Sequence, residues 1–191
     1  MDHAREFGLS GLSLDPGDHL CAIYLSHRHR DEVMLPFLRE GLRGGDKCIC
    51  VLDSIAPSEL LVDLGRGIDA EGHVACGQLE IASSHEAYVR SGPFSTHEML
   101  AYLDDSVGAV IRDGSFPFVR VLREVPWTLS DSLQEEELFR HESELDSFAH
   151  RYPQAILCLY DVSHFGGGIV VQLLKTHHVM LFGDLVFEAP P

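Results

Sequence analysis

Residues 18–53, DHLCAIYLSHRHRDEVMLPFLREGLRGGDKCICVLD, set two nearly continuous apolar runs, HLCAIYL (19–25) and KCICVLD (47–53), on either side of one amphipathic stretch. Short uninterrupted apolar runs suit strands that are covered on both faces, so the segment reads as a parallel strand–helix–strand unit. In the helix, Val33, Met34, Phe37, Leu38 and Leu42 share one face, Asp31 is the expected N-cap, and Gly44-Gly45 is the stop. Pro36 fits best in a first turn, which moves the expected start of the regular helix later than the apolar pattern begins. Domains that bind nucleoside phosphates often begin in this order, but a phosphate cradle needs GxxxxGK[ST] and this chain has SHRHRDE. With no cradle glycines and no phosphate-binding Lys, ATP hydrolysis is not expected.

The alternation continues. APSELLVDLG is a helix with Pro57 near its start, GQLEIAS (77–83) a third strand, and STHEMLAYLDDSVGAVIRDG a long helix opened by a Ser95–Glu98 capping box and ended at Gly114. FVRVLREV (118–125) is a fourth strand, SLQEEELFRHESELDSFAHRY a helix boxed by Ser132–Glu135, and AILCLYD (155–161) a fifth strand. FGGGIVVQLLKTHH is a helix with a glycine entry, and VMLFGDLVFE a terminal hairpin turning at Gly183-Asp184. The expected fold is α/β: a mainly parallel central sheet with helices on both faces and a C-terminal β-hairpin.

A chain of 191 residues with 45% hydrophobic composition suits a single domain, 1–191, with residues 1–17 as an N-terminal extension and 188–191 as a tail or linker. The net charge of −16 speaks against direct nucleic-acid binding, which needs clustered Lys and Arg. No apolar run is long enough to span a membrane and no signal peptide opens the chain, so a cytoplasmic protein is expected. Five cysteines, mostly inside strand-like runs, read as reduced thiols. The pair Cys48 and Cys50 is expected to split between the two sheet faces, making a poor metal clip, and to be buried as small hydrophobes. Residues 131–146 carry seven acids against Arg140 alone and read as a solvated helix face or as a docking surface for a basic partner.

In an open parallel sheet, ligands gather beyond the carboxyl ends of the strands, which directs attention to the loops after Tyr24, Asp53, Glu124 and Asp161. His27, Arg28, His29 and Arg30 form either an exposed polar loop or an anion site at a helix N-terminus. His19 and Cys21 form an H-x-C pair on one strand face; with Cys158 and His164, His177 or His178 they could complete a tetrahedral metal set, although core packing or hydrogen bonding is the plainer reading. Glu124 could hold a ligand hydroxyl or pair with Arg30 or Arg123, with Trp127 as a pocket wall or core residue. Tyr160 and Asp161 close the fifth strand, with Asp161 also suited to capping the next helix. No G-x-S-x-G elbow supports a Ser-His-Asp triad.

Taken together, HLCAIY, VMLPFLREGLRGGDKCICVLD, GQLEI, VLREVPW, AILCLYD and LLKTHHVMLFG, in this order from about His19 to Phe187, resemble the MEDS family of sensory domains, named for methanogen and methylotroph regulators. The resemblance implies a RecA/KaiC-like fold without its nucleotide-hydrolysing loop, and a non-catalytic role in sensing a small, hydrocarbon-derived ligand. It places His19 and Cys21 on the family's H-x-C, Arg30 on its Arg before the first helix, Glu124 and Trp127 after the fourth strand, Cys158, Tyr160 and Asp161 on its CLYD, and His177 on its late His. Two departures stand out: HH replaces the usual HP at His177-His178, and REVPW replaces a GEMSW-like segment. The ligand-binding set expected is therefore His19, Cys21, Tyr24, Arg30, Glu124, Trp127, Cys158, Tyr160, Asp161 and His177, with one pocket near His19, Cys21, Arg30, Glu124 and Cys158. Partners expected are a small-molecule ligand and a kinase, anti-sigma or transcription module, fused or separate, with a homodimer also compatible; no cofactor is specified. The alternatives are a metal-binding sensor or hydrolase built on His19, Cys21 and Cys158 or His177, an interaction module, and an atypical nucleotide binder.

Overall fold

The computed structural model describes residues 5–9, 11–87, 95–125, 135–163, 167–183 and 185–188. Its strands are β1 (Arg5–Glu6), β2 (Ser13–Leu14), β3 (His19–Tyr24), β4 (Lys47–Val51), β5 (Leu79–Ala82), β6 (Val119–Glu124), β7 (Gln154–Asp161), β8 (Val179–Phe182) and β9 (Leu185–Glu188). The helices are α1 (His27–Gly44), α2 (Pro57–Leu64), α3 (Ala70–Ala75), α4 (Ser84–Ala87), α5 (Thr96–Asp113), α6 (Glu135–Ala149) and α7 (Gly167–Thr176). Seven strands form one sheet in the order β5-β4-β6-β7-β3-β8-β9, parallel throughout except for the closing β8–β9 hairpin. This is the α/β architecture expected from the alternating pattern.

Helices α1, α2 and α3 cover one face, packing on Leu20, Ala22 and Tyr24 of β3, Cys48 and Cys50 of β4, and Leu157 and Leu159 of β7. Helices α5, α6 and α7 cover the other, against Cys21, Ile49, Val121, Ile156, Cys158 and Tyr160. Cys48 and Cys50 therefore share a face, contrary to the expected split, because side chains two apart on a strand point the same way. Both are fully buried, as expected of small hydrophobes.

Helix α1 starts four residues before the expected cap. Ser26, in extended conformation, accepts a hydrogen bond from the His29 N–H and is the N-cap, so Pro36 lies inside the helix rather than in its first turn. The expected stop holds: Gly45 is left-handed and its N–H returns to Gly41 and Leu42 carbonyls. Ser95 caps α5 through the Glu98 N–H, and Gly114 ends it, also as expected. The Ser132 cap and Asp184 lie outside the described residues.

The N-terminal segment is part of the core. The β1–β2 hairpin buries Phe7, Leu12 and Leu14, and a buried guanidinium fastens it. Arg120 on β6 donates to the Asp46 carboxylate at 2.9 Å and to the carbonyls of Phe37 at 3.0 Å and Glu6 at 2.8 Å. A cation this deeply buried is tolerable only when its donors are met, as here. Gly41 on α1 makes room for it, since a Cβ there would come within 2.5 Å of the Arg120 side chain.

Candidate functional site

The face beneath α6 and α7 holds a polar cluster in an otherwise apolar layer. His19 begins β3, Cys158 lies on the neighbouring β7, Glu142 descends from α6, and His177 follows the last turn of α7. The strands pair Cys21 with Cys158 and His19 with Ile156, so His19, Cys21 and Cys158 project from the same face. Glu142 reaches the sheet because α6 packs Leu145, Phe148 and Ala149 into the core, and residue 142 sits one turn earlier on that inward stripe. All four side chains are buried, and one donor atom from each lies within 4.8 Å of all the others.

The separations are short. His19 Nε2 is 3.4 Å from Cys158 Sγ and 3.3 Å from Glu142 Oε2. His177 Nε2 is likewise 3.3 Å from Glu142 Oε2, and the two imidazoles lie 4.3 Å apart between centroids. Partners outside the cluster orient its members. His177 Nδ1 lies 3.1 Å from the Leu173 carbonyl, which can only accept, so Nδ1 carries the proton and Nε2 faces the cluster. Tyr160 donates to Glu142 Oε1 at 2.5 Å, leaving Oε2 for the histidines. His19 Nδ1 is 3.6 Å from Asp146 Oδ1, an ion-pair rather than a hydrogen-bond distance.

Electrostatics follow from this crowding. Burial opposes charge on Glu142, but His177 and His19 outweigh it and hold the carboxyl well below its ordinary range. Burial works against charge on His19 too, yet Cys158, Asp146 and Glu142 raise it well above the usual imidazole value. His177 is raised against burial by Cys158 and Glu142. Cys158 is lowered because His19 and Arg123 overcome burial and the Glu142 charge. Further out, burial and Arg123 lower His141 to about 3, so it is neutral. Its Nε2 accepts from Arg123 at 2.7 Å, and its Nδ1–H faces Thr96 Oγ1 at 3.2 Å. Despite these contacts, His19 Nδ1, Glu142 Oε2 and His177 Nε2 have no hydrogen-bond partner although they are buried.

The residues singled out in the sequence divide between the two faces. His19, Cys158 and His177 meet; Cys21 and Tyr160 lie beside them, with the Cys21 thiol raised well above its ordinary value by burial, then by Cys158 and Glu142. Tyr24, Arg30 and Glu124 lie on the opposite side, because Glu124 and Tyr24 are an odd number of residues from Arg123 and Cys21 on their strands. The expected single pocket near His19, Cys21, Arg30, Glu124 and Cys158 is thus separated by the sheet itself.

On that second face Glu124 pairs with neither Arg30 nor Arg123: Oε1 accepts from the Tyr24 hydroxyl, and Oε2 from the N–H groups of Asp53 at 2.9 Å and Ser54 at 2.7 Å. Arg30 donates to the Ser54 carbonyl and hydroxyl and to Asp31. Arg28 pairs with Glu32 in solvent, and residues 27–30 form the first turn of α1 rather than a loop. Asp161 accepts from the N–H and hydroxyl of Ser163. His178 is exposed. Trp127 and His164 lie outside the described residues.

Glu142 is not among the residues that the sequence singles out, since the acids of 131–146 read together as a solvated face or as a docking surface for a basic partner. The available signal was its helical spacing from Leu138 and Leu145, which puts an acid on the apolar stripe.

The sheet order and two-sided helical cover define a KaiC-like α/β domain. A KaiC-like protein from Pyrococcus horikoshii superposes with a TM-score of 0.64 at 14% identity, over 93% of this chain and 79% of that one. The flagellar accessory protein FlaH from Methanocaldococcus jannaschii gives 0.61 at 8% identity, over 96% and 84%. The chain belongs to the MEDS family: the model of the MEthanogen/methylotroph, DcmR Sensory domain matches residues 18–178. It is also 29% identical over 181 residues to the transcriptional repressor DcmR of Methylorubrum extorquens, a match covering 93% of this chain and 64% of the repressor's length. Membership in a sensory-domain family and a repressor relative indicate a regulatory role.

Proposed function

We propose that this chain is the non-catalytic input domain of a regulatory protein, and that its effector is received at the His19, Glu142, Cys158 and His177 cluster. The observation that carries this reading is the convergence of four buried side chains from four parts of the fold, His19, Glu142, Cys158 and His177, with one donor atom of each within 4.8 Å of the others, while Glu142 Oε2 and His177 Nε2 meet only in an ion pair and make no hydrogen bond. Buried polar groups ordinarily make full hydrogen bonds, and donor atoms gathered in one place with ion-pair contacts in their stead suit the reception of a guest. Glu124 offers no comparable capacity, since both its oxygens are already engaged by Tyr24, Asp53 and Ser54.

The cluster joins sheet to helices. His19 and Cys158 stand on strands, whereas Glu142 and His177 belong to α6 and to the end of α7. A guest that engages all four favours one placement of α6 and α7 over others, which is the differential affinity that coupling requires. The outer side of α7 presents Val171 and Leu174, both exposed, as a surface on which a partner can read that placement. With a chain charge of −16, the partner is a regulatory protein or module rather than DNA. Among the described residues no helix is long and apolar enough to cross a membrane, which is compatible with a cytoplasmic setting.

Thermal-shift screening of small polar and halogenated organics against wild type, His19→Ala and Glu124→Ala tests the assignment. Compounds that stabilise wild type and Glu124→Ala but not His19→Ala support it. Compounds that still stabilise His19→Ala and lose their effect in Glu124→Ala transfer the receptor to the strand-end side.

A further inference from the structure

We propose that His19, Glu142, Cys158 and His177 form a four-coordinate site for a transition-metal dication, zinc foremost. This rests on the receptor assignment above and names the chemistry of its guest. Zinc takes imidazole nitrogen, carboxylate oxygen and thiolate sulfur at about 2.0 to 2.3 Å in a tetrahedron, whose ligand-to-ligand edges are then about 3.3 to 3.6 Å. Three edges already have that length: 3.4 Å from His19 Nε2 to Cys158 Sγ, and 3.3 Å from each of His19 Nε2 and His177 Nε2 to Glu142 Oε2.

The surroundings are those a metal site needs. The Leu173 carbonyl fixes the tautomer of His177, so that Nε2 is its coordinating atom. Tyr160 holds Glu142 Oε1, which leaves Oε2 as a single ligand oxygen. Asp146, 3.6 Å from His19 Nδ1, needs only a small approach to complete a carboxylate–histidine–metal arrangement. The charges match as well: a thiolate and a carboxylate neutralise a dication, so that a loaded site is electrically neutral inside the core. Arg123 lies 4.0 Å from Oε1, the carboxylate oxygen turned away from the proposed ion. Two imidazoles, one thiolate and one carboxylate select a borderline-soft ion over Mg2+ or Ca2+. Cys21 is not a ligand in this arrangement, although its sequence position beside His19 suggested it.

The test uses the whole chain, purified without a histidine tag, stripped of metal and titrated with Co2+ and then with Zn2+. Expected are one equivalent of Co2+ per chain, visible bands typical of four-coordinate cobalt, a near-ultraviolet thiolate-to-cobalt band, and displacement of all of these by Zn2+. Cys158→Ser abolishes the thiolate band, and Asp146→Asn weakens Co2+ binding about tenfold or more while leaving that band in place. Wild type alone decides the matter should a variant fail to fold. Wild type that binds neither ion stoichiometrically, or binds Co2+ without a thiolate band, overturns the site. If organics still stabilise that wild type through His19, the receptor reading stands and only the metal assignment falls.

Discussion

His19 and Cys158 are 139 residues apart in the chain, yet His19 Nε2 lies 3.4 Å from Cys158 Sγ on one face of the sheet. They meet because β3 and β7 are hydrogen-bonded neighbours in parallel register, although the chain passes through three other strands, β4, β5 and β6, between them. Glu142 and His177 close on this pair from the helical layer.

Glu142 is the carboxylate on which that pairing turns. In Glu142→Leu, His19, His177 and Arg123 lose their shared counter-charge inside the core, and removing one partner of a buried charge set costs about 3 to 5 kcal/mol. Urea denaturation of metal-free protein measures it. A loss below about 1 kcal/mol, within the range of exposed ion pairs, contradicts a buried charge network.

On the opposite face, Tyr24→Phe removes the hydroxyl that donates to Glu124 Oε1. Hydrogen bonds to charged groups contribute about 1.5 to 3 kcal/mol, and a loss of that size is expected. Glu124→Ala is expected to cost more, because it also strands the N–H groups of Asp53 and Ser54. Equal stabilities for the two variants in urea would show that those N–H groups find other partners.

Alkaline pH weakens the fold through its buried thiols. Burial pushes Cys48 from 9.0 up to about 12, with Asp46 adding to the shift and Arg120 opposing it. The folded pKa is raised above the unfolded one, so the stabilisation is complete below about pH 9 and is lost as pH climbs toward 12, on the order of 4 kcal/mol in all. Cys48→Ala flattens this decline in unfolding free energy. An unchanged slope assigns the alkaline loss to other groups.

Thiol labelling separates the cysteines by position. All five are free, and only Cys76 is exposed. One thiol per chain reacts rapidly with Ellman's reagent in the native state, and Cys76→Ser abolishes that phase; the other four react only on unfolding. Rapid reaction of a second thiol would mean that the cluster around Cys158 is open to reagent.

The order of the seven sheet strands and of α1, α2, α5, α6 and α7 was legible in the sequence because apolar runs and helical spacing are local, whereas the short helices α3 and α4 span too few residues to show a period. The Gly45 and Gly114 stops and the Ser95 cap followed from capping chemistry for the same reason. The start of α1 was misplaced because Ser26 and Asp31 are both good caps, and only the extended backbone at Ser26 decides between them. The β1–β2 hairpin was invisible, since two-residue strands carry no periodicity and this pair is held from outside by Arg120.

The sequence by itself determined the α/β layering and the presence of His19, Cys158 and His177, because both follow from residue type and spacing along the chain. Tertiary structure alone decided which of the polar residues share a face. The parity of strand positions sends Glu124 and Tyr24 to one side and Cys158 and His19 to the other, and strand order then determines which of them touch. It also decided that Glu142, one acid among many in its segment, turns inward: an amphipathic helix chooses its buried stripe only when there is a sheet to lie on.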